Sequence, residues 1–258
     1  MISRINDIKI GVDVFGDSGP AVVLIHGSAL NRTIWHAVAA EGLQGFQVIL
    51  PDVRGHGESE ATDGAYPMSL LADDLAGLLT HLGVAQAFVL GHSMGGYIAL
   101  AFAEQYPDRI QGIGLITSKA HADSKEKREG RYQMAEEIRK RGSIALAESL
   151  APRISRDPAV IKLAYEMIKN TSDRGAIGVT LGMAERPDRT DDLAKLRIPG
   201  LVVAGEDDQI IPVESTKQMA ESIPNGQFAV IPQSGHLPMV EAPQTLSDCL
   251  QSWLSDQI

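Results

Sequence analysis

One cysteine, Cys249, is all the chain contains, so no intrachain disulfide can form and the redox compartment stays open. A basic excess is also missing. Asp and Glu number 33 against 23 Lys and Arg, giving a formal net charge of −10. Nucleic acid and anionic lipid are both bound through clustered cations, so this balance argues against either as a partner. Its simplest effect is solubility. No stretch approaches the roughly 18 consecutive apolar residues needed to span a bilayer. The opening residues, Met1-Ile2-Ser3-Arg4-Ile5-Asn6-Asp7, hold no apolar segment of a secretory leader. A cytoplasmic protein with no membrane contact is expected. His36, His81 and His121 have no companions at metal-ligand spacing, so neither a metal nor another cofactor is expected. Internal repeats and low-complexity segments are absent.

What is present is an ordinary globular composition, 258 residues with 44% hydrophobic and 22% charged. That length suits one large α/β domain, or one domain carrying an insertion. Short apolar runs alternate with helical periods. Ile8–Phe15 alternates apolar and polar, as a half-exposed strand does. Ala21–Ile25 is continuously apolar and rich in β-branched residues, the mark of a strand covered on both faces. Segments 46–50, 87–90, 113–116, 201–204 and 228–231 read the same way. Between them lie helices. One follows Ser69 as N-cap, with Leu71, Leu75, Leu78, Leu79 and Leu82 on a single face and Gly83 ending it. The last helix puts Leu246, Cys249, Leu250, Trp253 and Leu254 on one stripe, which makes Cys249 a small core residue rather than a nucleophile. The pattern predicts a parallel sheet with helices on both faces.

Residues 119–187 break the alternation, with helical patterns only. Segment 125–141 is densely charged, with Met134 and Ile138 on one face. Asp157-Pro158 caps a second helix, along which Val160, Leu163, Ala164, Met167 and Ile168 follow at helical spacing. A third runs over 172–185. One crossover needs only one helix, so these three predict a helical cap inserted into a core made of residues 1–118 and 188–258.

The chemistry is concentrated in four loops. Gly91-His92-Ser93-Met94-Gly95-Gly96 matches G-x-S-x-G between a strand and a helix. On such a turn the glycines avoid side-chain clashes and the serine hydroxyl projects above the sheet edge. The helix that follows offers free N–H groups to a developing oxyanion, Met94 supplying one donor. His26-Gly27-Ser28-Ala29, after the first buried strand, supplies the second through Ser28, while His26 itself reads as structural. Gly205-Glu206-Asp207-Asp208 places a carboxylate at a strand's C-terminal end, and Ser234-Gly235-His236 supplies an imidazole. Serine is a poor nucleophile until an imidazole takes its proton, and that imidazole needs a carboxylate to fix its tautomer.

These residues, with Leu24-Ile25-His26-Gly27, Asp52-Val53-Arg54-Gly55-His56-Gly57-Glu58-Ser59 and Pro212, resemble the α/β-hydrolase superfamily over nearly the whole chain. Within it the chain is similar to small carboxylesterases, 3-oxoadipate enol-lactonases and cofactor-free haloperoxidase-like enzymes. The resemblance implies an α/β-hydrolase fold whose mostly parallel central sheet carries a helical cap. It also implies Ser93 as nucleophile, His236 as base and, by the pattern G-x-x-D-x-x-x-P, Asp208 rather than Asp207 as acid. Some relatives place the acid one strand earlier, but Thr117-Ser118 offers no carboxylate there. Segment 52–59 is implied to be a structural loop, not a phosphate or metal site.

The leading expectation is hydrolysis of small or medium carboxylic esters, with Met167, Ile168, Met183 and Leu237 walling the pocket. A lactonase is the runner-up; an anionic lactone would want a cap arginine, for which Arg131, Arg153, Arg174 and Arg186 are available. Perhydrolase activity belongs to the same site. Dehalogenases and epoxide hydrolases need aspartate where Ser93 stands. A ligand-sensing receptor on this fold is the reading from another class, and fast turnover would separate the two.

Overall fold

The computed structural model describes residues 1–41 and 43–258. Eight strands form one sheet: β1 (Ile2–Ile5), β2 (Ile8–Phe15), β3 (Ala21–Ile25), β4 (Gln47–Pro51), β5 (Ala87–His92), β6 (Ile110–Ile116), β7 (Gly200–Gly205) and β8 (Gly226–Ile231). Their order is β1-β2-β4-β3-β5-β6-β7-β8. The β1–β2 and β2–β4 pairs are antiparallel and every other pair is parallel. In the core the helices are α1 (His36–Glu41), α2 (Met68–His81) and α3 (Met94–Gln105). Between β6 and β7 come α4 (Lys125–Arg141), α5 (Ile144–Leu150), α6 (Pro158–Lys169), α7 (Asp173–Ala184) and α8 (Thr190–Leu193). After β7 come α9 (Val213–Glu221), α10 (Pro238–Glu241) and α11 (Pro243–Ser255).

The sheet is covered on both faces, and β3 shows how. All five of its residues are buried. Val23 and Ile25 join a core with Leu71, Leu75 and Leu78 of α2 and Ile98 of α3. Val22 and Leu24 point the other way, into a second core with Leu246, Leu250 and Trp253 of α11. Strand alternation therefore feeds two apolar layers from one unbroken apolar run. Cys249 packs half-buried at the edge of that second core.

One local expectation needs correction, and one strand is added. Helix α2 begins at Met68 with Pro67 in the cap position, so Ser69 lies inside the first turn and caps nothing. Gly83, at φ +71°, does end it. Strand β1 was not apparent in the sequence. Asn6 and Asp7, at φ +46° and +64°, form the two-residue turn that pairs Ile5 with Ile8. A type I′ hairpin turn needs positive φ at both positions, which asparagine and aspartate tolerate.

Residues 119–187 contain helices and loops but no strand. There are four α-helices where three were expected. Seven-residue α5, followed by a 3-10 turn at Ala151–Arg153, is too short to show a period. The capped start at Asp157 is present: its side chain accepts from the Ala159 N–H at 2.8 Å, with Pro158 next.

Candidate active site

Ser93 sits between β5 and α3 at φ +52°, ψ −112°, a conformation L-residues rarely adopt. Its surroundings enforce it. A Cβ at Gly91 would collide with the Gly95 carbonyl, and one at Gly95 would lie 2.5 Å from the Ile25 carbonyl oxygen. The Ser93 N–H donates to the Ile116 carbonyl at 2.9 Å, and Ser118 Oγ donates to the Ser93 carbonyl at 2.7 Å. Ala29, Thr117 and Gln233 also have positive φ, so among the described residues four of the six non-glycine residues in that region belong to this one site. Such clustering marks a backbone over-determined by its neighbours.

On the same sheet edge, Asp208 follows β7 and His236 lies in the loop beyond β8. Asp208 Oδ2 is 2.8 Å from His236 Nδ1, with the two side chains 0% and 5% exposed. The other carboxylate oxygen accepts from the N–H groups of Ile210 and Ile211, at 2.7 and 3.0 Å. The carboxylate therefore accepts from Nδ1–H and leaves Nε2 as the imidazole's free nitrogen. Asp207 points elsewhere, pairing with Arg156 at 3.0 Å near the surface.

Ser28 follows β3 on a loop held from beneath by two buried histidines. His26 Nδ1–H donates to the Gly27 carbonyl at 2.8 Å, and Nε2 accepts from the Val53 N–H at 2.9 Å. His56 Nε2 accepts from the Ala29 N–H at 3.0 Å while Nδ1–H donates to the Arg54 carbonyl. Burial pushes His26 down to about 4 and His56, also repelled by His26, to about 3. Both are neutral struts. The rest of segment 52–59 is equally structural. Arg54 grips Asp74 through two 2.7 Å bonds, and Asp52 binds Arg32 and the Glu58 N–H. Met94 is the first residue of α3, a position where helix geometry leaves the N–H no partner one turn back.

Above Ser28 and Ser93 lies a cavity of about 300 Å³, between the sheet edge and the cap. Of the four expected wall residues, Met183 on α7 lines it. Met167, Ile168 and Leu237 do not; all three pack into the second core, Ile168 and Leu237 at 0% exposure. The apolar stripe of α6 is spent against α5 and that core, so it never reaches the cavity. Met134 of α4, Leu146 and Leu150 of α5, and Ile210 and Ile211 beside Asp208 supply the apolar wall instead. Met134 was already visible on the apolar face of its helix.

The polar lining is unbalanced, with Lys119, Lys127, Arg131 and Arg153 facing a single carboxylate, Asp123. The Asp123 side chain is 1% exposed and binds Lys119, Arg131 and Arg186. Burial alone would raise its pKa; hydrogen bonds from Arg186 and Arg131 outweigh it and hold the carboxyl well below the usual range. Lys127 and Arg153 have no carboxylate partner among the described residues. Arg174 pairs with Asp63 on the surface, and Arg186 is buried against the Tyr97 ring, 4.3 Å from its centroid. Two of the four candidate arginines, Arg131 and Arg153, therefore face the cavity.

A sequence profile described as alpha/beta hydrolase fold matches residues 20–243. The chain belongs to the α/β-hydrolase family. A thermophilic esterase from Thermogutta terrifontis, solved with malate bound, is 40% identical and superposes with a TM-score of 0.95, covering 100% of this chain and 98% of that one. The enol-lactonase of Burkholderia xenovorans LB400 is 25% identical at a TM-score of 0.90, over 99% of this chain and 100% of its own. By sequence, 3-oxoadipate enol-lactonase 2 of Acinetobacter baylyi is 26% identical over 254 residues, 95% of this chain and 93% of the relative. No helix among the described residues is long and apolar enough to cross a membrane.

Proposed function

We propose that this α/β-hydrolase is a serine esterase that cleaves small or medium carboxylic esters through an acyl-Ser93 intermediate. The observation that carries the reading is the buried 2.8 Å bond from His236 to Asp208 on the sheet edge that presents Ser93 to the cavity. In this mechanism Ser93 Oγ attacks the ester carbonyl carbon as His236 Nε2 takes its proton. The N–H groups of Ser28 and Met94 hold the oxyanion, and Asp208 stabilises the imidazolium. Collapse breaks the ester C–O bond, and His236 returns the proton to the departing alcohol. Water then attacks the acyl-serine with His236 again as base, releasing the acid and restoring Ser93.

A second reading, favoured by the cationic wall, is that the preferred ester or lactone carries a carboxylate. Lys127 and Arg153, lacking acidic partners, are the groups available to it. With a lactone the same steps apply, the alcohol remaining tethered to the released acid. The substrate in either reading is a small molecule.

A panel of p-nitrophenyl esters of graded acyl length, run beside lactones with and without a carboxylate, tests both. Repeated turnover that is abolished in Ser93→Ala is expected, and full activity in that variant would overturn the assignment. A single turnover with retained product would point to a receptor. Equal kcat/KM for charged and neutral members would remove the second reading.

A further inference from the structure

His92 stands just before the elbow serine, and nothing in the mechanism above uses it. Its side chain is buried, 1% exposed, between two loops of the site. Nε2 lies 2.8 Å from the backbone carbonyl oxygen of His236. A carbonyl only accepts, so Nε2 carries the hydrogen and Nδ1 is a bare acceptor. Nδ1 is buried with no hydrogen-bond partner among the described residues. A leucine would fill similar space with no orphaned polar atom. What the imidazole supplies, and a leucine lacks, is the bond to His236.

The rest of the contact set places His92 between the base and the oxyanion loop. The rings of His92 and His236 meet edge to face, their centroids 4.9 Å apart. Another edge of His92 lies against Gly27, where an added Cβ would sit 2.6 Å from Nδ1 and 2.7 Å from Cε1. Gly27 directly precedes Ser28. The His236 carbonyl also accepts from Thr117 Oγ1 at 3.1 Å, so two side chains from the elbow side hold the base's backbone. Burial, and then the neighbouring His236 ring, keep His92 uncharged.

We propose that His92 is a positioning residue: one imidazole, bonded to the His236 backbone and packed on Gly27, sets the spacing between the base and the Ser28 oxyanion donor. This inference rests on the esterase reading of Ser93 and His236. It predicts a loss in the chemical step rather than in binding, since His92 does not line the cavity.

The test compares His92→Leu, His92→Gln and Thr117→Val with the wild type on one small neutral p-nitrophenyl ester, with Tm measured for each. His92→Leu should lower kcat by about ten- to a hundredfold, as small misplacements of reacting groups do, with little change in KM. His92→Gln, whose side-chain amide can donate to the same carbonyl, should recover most of that loss. Thr117→Val should lose less than His92→Leu, about threefold to tenfold in kcat. Equal losses in the Leu and Gln variants at equal Tm would reduce His92 to a space-filler and overturn the proposal. Should His92→Leu fail to fold, an unchanged kcat in Thr117→Val overturns it as well. Undiminished turnover in Ser93→Ala would instead sink the esterase reading, which keeps the two failures apart.

Discussion

Helices α4 and α7 pack against each other and both wall the cavity, yet unlike forces set their positions. On α7, Gly175, Gly178 and Gly182 bring backbone against backbone. A Cβ at Gly182 would collide with the Tyr66 carbonyl and one at Gly175 with that of Gly55, while the Tyr66 ring fills the space at Gly178. The Tyr66 N–H donates to the Gly178 carbonyl at 2.8 Å. By contrast, α4 buries only Ala135 and Ile138. Long polar side chains hold it: Arg131 to Asp123, Arg128 to the Ala184 carbonyl and Tyr132 to Glu185. One wall is fixed by the absence of side chains, the other by their charge. Pocket shape is therefore adjustable from α4 and α5, whereas α7 tolerates little change.

The sharpest way to break this contrast is Gly182→Ala. The new methyl must displace core backbone, so a loss of about 1–3 kcal/mol is expected, lowering Tm by about 2–4 °C per kcal/mol. Thermal unfolding checks it; an unchanged Tm would mean that α7 shifts freely on the core.

Acid should act on the loop under Ser28 before it acts on the charged anchor of α4. His26 and His56 ordinarily titrate near 6.5 but in the fold only near 4 and 3. Below pH 6.5 the unfolded chain takes up protons that the folded one refuses. Stability should thus fall with falling pH, by about 1.4 kcal/mol per pH unit per histidine, until each folded value is reached. Asp123, held below the ordinary carboxylate value of 3.8, stays ionised across that window. The loop under Ser28 should therefore weaken before the charged anchor of α4 does. A Tm that stays flat between pH 6.5 and 4.5 would contradict the neutral-strut reading.

The smallest effect concerns Gly130 of α4, where a Cβ would meet nothing within 4 Å. Gly130→Ala should raise stability by about 0.5–1 kcal/mol, because a mid-helix glycine mainly costs chain entropy. The same exchange thus has opposite signs on the two helices, and calorimetry of both variants reads the difference.

The same contrast explains what the sequence could show. Ser93, Asp208 and His236 stand out as candidates because each sits in a contiguous backbone pattern: a glycine-flanked elbow, or a loop just beyond an apolar strand. The two-faced sheet was legible in runs such as Ala21–Ile25, which only burial on both sides accommodates. The pocket was harder to read. A stripe such as Val160, Ala164 and Ile168 reveals that α6 buries one face, but not against what. Met167 and Ile168 therefore read as cavity wall, where α4, α5 and α7 in fact line it. Neither β1, four residues long, nor α5 spans enough residues to display a period. The helix over 172–185 was legible, whereas the spacing of its glycines at 175, 178 and 182 marks close backbone approach only once the packing is known.

The bond from Tyr66 to Gly178 also bears on how the molecule comes apart. Tyr66 is 0% exposed, and lifting α7 would exchange that bond for one to water, a net cost of about 0.5–1.5 kcal/mol before any apolar contact is lost. Core and insertion thus share backbone pairing as two strands of a sheet do, here and where the His236 N–H donates to the Ile154 carbonyl at 2.8 Å. Opening at α7 would therefore expose backbone of the core loop and of the insertion together, which couples the two in local unfolding.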